Sequence, residues 1–254
     1  PIRGFGNIKW FVVACLSKAM EFDYLNSVDK KGIITDQKIR EIIENKIDNN
    51  IPVIIKAPGV IAKYHYYVIK GKCSDGWIVH DPLLGPDRKK KFEEIDILGT
   101  RIFNPVPYPA PCKRSIWSWL SSPAELIITD PSSNKTGFDA ISQTIIRNIP
   151  NSTYFEDAID NDETGETDPH PAKQLGVGQP TIGTYKLEVI GISLGTYILG
   201  VNALDENGII TETIFKGVTN TNFVSTFELN YTGTPGQPIT PTRTATFESI
   251  RKEI

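Results

Sequence analysis

His65 and Asp81 are the two residues whose types and spacing best suit catalysis. Both lie in the stretch PVIIKAPGVIAKYHYYVIKGKCSDGWIVHDP, which runs from Pro52 to Pro82. A carboxylate beside an imidazole fixes the imidazole tautomer and stabilises the imidazolium, as a base that serves a nucleophile requires. Taken separately, Asp81 could be only a turn residue before Pro82, and His65 only a partly buried strand residue. Together they predict two members of a catalytic triad.

Three short β-strands are expected to position this pair. His65 opens the middle strand and Asp81 closes the third, and the two strands are joined by a short turn. In an antiparallel pair the start of one strand lies beside the end of the next, so we expect the two side chains to be neighbours. The three predicted strands are rich in β-branched and aromatic residues. They run from Val53 to Lys56, from Tyr64 to Lys70 and from Trp77 to His80.

Composition and charge exclude several functions. The formal net charge of −3 over 254 residues leaves no basic footprint, so nucleic acid is not an expected partner. The longest apolar run, near Trp10 to Cys15, is far shorter than the roughly 20 residues that cross a membrane. We expect no metal site and no cofactor. The three cysteines, with neither CxxC nor zinc-binding spacing, are Cys15, Cys73 and Cys112. We expect reduced thiols, with at most one disulfide.

Two helices are predicted in the first half of the chain. Residues 8–20 carry apolar side chains near helical spacing, and residues 36–49 carry an isoleucine stripe with Thr35 or Asp36 as its cap. Cys15 lies deep inside the first helix among Val, Ala and Leu, so a buried, inert thiol is favoured over a nucleophile.

The first 104 residues resemble the papain-like bacteriocin-processing (double-glycine leader) peptidase family. The segments NIKWFVVACLSK, NNIPVII, HYYVIKG and WIVHDPLLG carry the resemblance, which covers roughly residues 5–105. It implies that His65 is the general base and Asp81 its orienting carboxylate. It also implies that the nucleophilic Cys, with the Gln of its oxyanion hole, precedes the segment that Asn7 to Lys18 resembles. We therefore expect the chain as written to be inactive, as an internal piece of a longer chain or as a degenerate domain.

The predicted fold class is α+β, a papain-like half followed by an all-β sandwich. The expected divisions are residues 1–104 for the peptidase-like domain, 105–114 for a Pro-rich linker, 115–238 for the sandwich and 239–254 for a tail. The tail would start a helix, capped by Thr244 or Thr246.

Strand-length runs with turn signals recur in the second half. Two copies of GTYxLxV begin at Gly183 and Gly195, a spacing typical of adjacent strands in a sandwich. This half resembles β-sandwich modules of secreted or surface bacterial proteins. That resemblance implies an extracytoplasmic location and a possible cell-surface partner.

An acidic loop, FEDAIDNDETGETDPHP, lies between two of these strands. Asp160, Asp162 and Gly165 match a calcium loop, but Thr164 and Pro171 stand where other ligands are required. The EF-hand interpretation fails, which leaves a solvated hairpin loop or, as the alternative, weak calcium binding.

The other candidate residues are interpreted as structural. His80 should point to the face opposite Asp81, and His170 has no evident partner in the sequence. Trp77 and Trp117 are expected in the core or an interface. The run Arg88 to Lys91 is interpreted as solvent-facing, or alternatively as an edge that contacts substrate.

Three functions remain open from the sequence. The first is a cysteine peptidase, or a fragment of one, that acts on a peptide or protein. The second is a non-catalytic module whose sandwich binds a partner or a cell-surface polymer. The third is another Cys-His-Asp hydrolase, of transglutaminase or amidase type.

Overall fold

The computed structural model describes residues 9–30, 35–59, 64–140, 142–157, 171–237 and 239–247. These residues divide into two compact units. Described residues up to Ala110 belong to the first unit, and those from Pro111 onward belong to the second.

The first unit contains a six-stranded antiparallel sheet. The elements of this unit are α1 (Trp10–Ser17), β1 (Met20–Phe22), α2 (Asp36–Asp48), β2 (Val53–Pro58), β3 (Tyr64–Cys73), β4 (Gly76–Asp81), β5 (Gly85–Lys91), a 3-10 turn (Phe92–Glu94) and β6 (Gly99–Pro105). The strand order in the sheet is β1-β6-β2-β3-β4-β5, so that β3 and β4, which carry His65 and Asp81, are neighbours.

Helix α2 forms as the isoleucine stripe predicts. Ile39, Ile43 and Ile47 are buried, and they share one apolar cluster with side chains of β2, β3 and β4. The Thr35 hydroxyl accepts the backbone N–H of Lys38 at 3.2 Å, which satisfies one of the open donors of the first turn. This packing holds the middle of the sheet in place.

Helix α1 is shorter than predicted. It ends at Ser17 because Lys18 adopts a left-handed conformation with φ of 51°, and Met20 then begins β1. Its buried side chains are Trp10, Phe11 and Ala14.

Three buried charges form a network in the first unit. The Asp29 carboxylate lies 3.0 Å from Lys56 Nζ and 2.8 Å from Arg101 Nη1. Burial raises the pKa of Asp29, but the charges and hydrogen bonds of Arg101 and Lys56 outweigh that effect, so the pKa is lowered overall. The carboxylate therefore compensates charge on two buried cations.

The second unit is a sandwich-like pair of antiparallel sheets that share one apolar core. The strands are β7 (Ser115–Ser121), β8 (Ala124–Thr129), β9 (Lys135–Asp139), β10 (Thr144–Arg147), β11 (Ser152–Asp157), β12 (Ala172–Gly178), β13 (Gly183–Gly191), β14 (Gly195–Leu204), β15 (Ile210–Thr219), β16 (Val224–Tyr231) and β17 (Thr242–Phe247). The strand orders in the two sheets are β10-β9-β8-β13-β16-β17 and β11-β12-β7-β14-β15.

The α+β fold class is wrong. Strands make up 54% and helices 11% of the described residues, and the three sheets are antiparallel, so the described part of the chain is mostly β, with only two α-helices, and does not form an α+β papain-like half. One reason is that the polar run after Asp81 forms β5. This strand is held by backbone pairing with β4, and it lacks the apolar side chains from which a strand is usually predicted. Thr244 and Thr246, predicted as helix caps, lie in β17.

Some predictions fall outside the described residues. These are the acidic loop with Asp160, Asp162, Thr164 and Gly165, the neighbouring His170, and the end of the predicted terminal helix after Phe247. Within the described ranges, no group of three or more His, Cys, Asp or Glu side chains is placed to hold a metal ion. None of the described helices has the length and hydropathy needed to cross a membrane.

Candidate functional site

His65 and Asp81 meet across the β3–β4 pair. The register sets Val68 opposite His80 and Ile69 opposite Val79, which brings the end of β4 beside the start of β3. The two side chains contact each other, with 2.9 Å between His65 Nε2 and Asp81 Oδ1. The prediction that they are neighbours is thus confirmed, whereas their catalytic role stays a prediction.

The Asp81 carboxylate is held by three donors. Its side chain is 2% exposed, and Oδ1 also accepts the backbone N–H groups of Leu83 at 2.9 Å and Leu84 at 3.2 Å. Burial raises the pKa of Asp81, but the hydrogen bonds from His65, Leu83 and Leu84 outweigh it, so the pKa lies below its ordinary value. Asp81 is therefore both the turn residue that its place before Pro82 favours and an ionised partner for the imidazole.

The carboxylate assigns the imidazole tautomer. An ionised carboxylate only accepts hydrogen bonds, so Nε2 of neutral His65 carries the proton and Nδ1 carries the lone pair. No described residue hydrogen-bonds to Nδ1, and the side chain is 23% exposed. The Tyr67 ring packs against the imidazole edge to face, with 4.5 Å between the ring centroids. The site therefore presents an oriented nitrogen that can accept a proton.

The cysteines of this chain do not supply a thiol to that nitrogen. Cys15 and Cys112 are disulfide-bonded, so the predictions of reduced thiols and of a buried, inert Cys15 thiol are wrong. Cys73 is free and half-buried, but it ends β3 whereas His65 begins it. At about 3.3 Å per residue, the eight steps from 65 to 73 separate them by roughly 26 Å. Disulfide bonding depends on which Cα atoms the fold brings close, which sequence spacing does not show.

Three other candidates, His80, Trp77 and Trp117, lie where the sequence predicted them. His80 is exposed on β4, next to the buried Asp81, and so points to the other face. Trp77 and Trp117 are fully buried. The Trp117 Nε1–H donates to Gln174 Oε1 at 3.1 Å, which satisfies its one polar group.

Sequence reasoning missed that the basic run is an edge strand beside the pair. Strand β5 is the last strand of the sheet, and Lys90 Nζ lies 4.7 Å from the centroid of the Tyr67 ring. Because the same ring contacts His65, one cation of β5 lies near the candidate base. The position of this cation depends on the pairing of β5 with β4, which no hydrophobic pattern in the sequence predicts.

Comparisons of this chain with protein-family models, curated proteins and solved structures find no match. The resemblance to the bacteriocin-processing peptidases therefore stays a prediction drawn from the motifs around His65 and Asp81.

Proposed function

We propose that His65 and Asp81 form the general base of a cysteine-dependent hydrolase that acts on peptide bonds. One observation carries the proposal: a buried carboxylate, held by two backbone N–H groups, lies 2.9 Å from Nε2 of a partly exposed histidine. This arrangement leaves Nδ1 oriented, unbonded within the described chain and able to take a proton.

The chemistry follows from that orientation. Nδ1 of His65 would remove the proton of a thiol, and the thiolate would attack the peptide carbonyl carbon. Asp81 would stabilise the imidazolium formed in this step. The imidazolium would then return the proton to the leaving amine, and water would hydrolyse the acyl-enzyme with His65 again acting as base.

The proposal places the nucleophilic thiol outside these 254 residues. Two of the three cysteines are disulfide-bonded and the third lies at the far end of β3, so none can act with His65. The isolated chain is then expected to be inactive.

The disulfide-bonded cysteines support an extracytoplasmic location. Disulfides form and persist in oxidising compartments and are rare in the cytosol. Cys15 and Cys112 are both bonded in this way, which fits the location that the sandwich modules of bacterial surface proteins imply.

The test is active-site labelling of the full-length protein that the gene encodes, alongside the 254-residue chain. A peptide probe with a thiol-reactive group is applied to wild type, His65→Ala, Asp81→Asn and the matched control His80→Ala. We expect labelling of the full-length wild type and of the control. His65→Ala should reduce the labelling rate by about 100-fold or more, the usual loss when a general base is removed.

A second candidate function is a non-catalytic binding module, which the absence of an available thiol near His65 favours. Failure to label or to hydrolyse peptides in every full-length protein would support that module and overturn the peptidase. Labelling that is unchanged by His65→Ala would refute the role of the histidine. Release of ammonia in place of peptide products would instead indicate an amidase or a transglutaminase.

A further inference from the structure

Strand β15 is a long, regular edge of the second unit. It spans ten residues, pairs with β14 over its full length without a register shift and is the last strand of its sheet. It contains no proline and no bulge, two of the devices by which edge strands usually avoid pairing with another chain. Its backbone groups on the outer side are therefore a template for a further strand.

The hairpin between β14 and β15 shows which backbone groups point outward. The Asp205 N–H donates to the Ile209 carbonyl oxygen at 3.1 Å, so these two residues form a hydrogen-bonded pair. Bonded and non-bonded pairs alternate along an antiparallel ladder. The even-numbered residues of β15 are thus in non-bonded pairs with β14, and their N–H and C=O groups point away from it.

The same residues carry exposed side chains. Ile214 is 53% exposed and Val218 is 61% exposed. The exposed positions alternate strictly along the strand, and in order they are Ile210, Glu212, Ile214, Lys216 and Val218. Three apolar side chains alternate with one anion and one cation, and the central residue is apolar.

This order is complementary to itself when the strand is reversed. A twofold axis at Ile214 sets that residue opposite its own copy and sets Glu212 opposite Lys216 of the partner subunit. The same axis sets Ile210 opposite Val218 of the partner subunit. The outward N–H and C=O groups belong to these same positions, so the ladder of hydrogen bonds and the favourable side-chain pairs coincide.

We propose that two copies of this chain associate through antiparallel pairing of β15, which joins two five-stranded sheets into one sheet of ten strands. The interface is isologous, because the same surface is used by both copies. It rests on the edge strand alone and does not depend on His65 or Asp81.

Two features of the monomer favour the pair between Glu212 and Lys216 of the partner subunit. The Trp119 Nε1–H donates to Glu212 Oε1 at 3.1 Å, and the indole lies over Gly200, so the carboxylate is held on the exposed face of the sheet. Lys216 has no ion pair with any described residue. Pairing gives this cation the carboxylate of Glu212 of the partner subunit.

The test measures mass in solution by analytical ultracentrifugation over roughly 1 to 300 μM, the range suited to an interface below standard size. All proteins carry Cys73→Ser, because Cys73 is free and could form a disulfide between copies. We expect wild type to approach twice the 28.2 kDa of one chain as the concentration rises. Ile214→Lys, which sets two cations opposite each other, should weaken association by about tenfold or more.

Variants that reverse the charges at Glu212 and Lys216 distinguish this pairing register from other registers. Glu212→Lys and Lys216→Glu alone each set like charges opposite one another twice, so each variant should be monomeric where wild type is dimeric. A mixture of the two single variants restores both opposite-charge pairs and should form a heterodimer. The double variant with both changes should dimerise with an affinity within about threefold of wild type. Circular dichroism of each variant checks that the fold is retained.

Several outcomes would overturn the proposal. One is wild type that stays monomeric over the whole range, as expected if the edge instead accepts an extended segment of a different protein. Another is a dimer that Ile214→Lys leaves unchanged. A third is folded single variants that do not associate when they are mixed.

Discussion

Replacing Asp81 by Asn should loosen the turn after β4 without changing its shape. Asn keeps an Oδ1 that can accept the N–H groups of Leu83 and Leu84, but it removes the negative charge. The substitution therefore separates what the charge contributes from what the acceptor contributes. Asp81→Ala, which removes both, is the companion variant.

The magnitude follows from the three bonds on one oxygen. A hydrogen bond to a charged group contributes about 1.5–3 kcal/mol, against about 0.5–1.5 kcal/mol for a neutral pair. Because the bonds from His65, Leu83 and Leu84 share Oδ1, their losses should not add. We expect local opening to become easier by about 1–2 kcal/mol at pH 7, which is roughly a 5- to 30-fold faster amide exchange.

The effect should disappear in acid. The pKa of folded Asp81 lies below its ordinary value of 3.8, so its charge stabilises the fold above about pH 3.8 and this stabilisation is lost as the pH falls through the lowered pKa. Once the pH has fallen below that lowered pKa, wild type and Asp81→Asn should converge, because a protonated carboxyl and an amide are both neutral. Asp81→Ala should still exchange faster, since it lacks the acceptor at every pH.

The assay is hydrogen exchange of the Leu83 and Leu84 amides by NMR, at matched pH for the three proteins. His80→Ala is the control, because its side chain is exposed on the other face of β4. Equal exchange of wild type and Asp81→Asn at pH 7 would refute the reasoning. An excess that does not change with pH would show that the charge of Asp81 is not what holds the turn.

Three further predictions concern stability. Asp29→Asn removes the carboxylate charge that Lys56 and Arg101 both contact, so urea unfolding should show the first unit destabilised by about 3–5 kcal/mol; a loss below about 1 kcal/mol would contradict this account of the network. Thr35→Ala removes the cap of α2 and should cost about 1 kcal/mol by the same titration, with Thr35→Ser close to wild type. Gly137→Ala should lower the melting temperature of the second unit, because Gly137 has φ of 145° and a Cβ there would lie 2.1 Å from a carbonyl oxygen of β8; an unchanged melting curve would show that the backbone can relax.

Local patterns predicted the parts of the fold that local forces form. The isoleucine stripe, with Thr35 or Asp36 as its cap, predicted α2, since side chains three and four positions apart share one face of a helix. The aromatic and β-branched runs predicted the three strands around His65 and Asp81, and the short turn predicted that the two residues meet. Each of these predictions depends on neighbours in sequence.

The α+β fold class was wrong, although it drew on periodic helix and strand segments as well as on the resemblance. Strand β6 inserts between β1 and β2, and β5 adds a basic strand to the far edge, so the first unit has more residues in strands than in helices. Backbone pairing supplies the stability of β5, and its side chains give no apolar signal. The bonded states of Cys15 and Cys112 were missed for the same reason, since they depend on contacts distant in sequence.

The sequence by itself determined helix α2, the strands that carry the candidate pair and the order of apolar and charged residues along β15, because each is a periodic pattern within a few residues. Only the tertiary structure decided that the Asp81 carboxylate receives Nε2 of His65, that no thiol of this chain lies near that histidine and that β15 is an open edge. The physical reason is that strand partners are chosen by competition among many segments. Only the completed sheet shows which backbone groups and side chains remain without a partner.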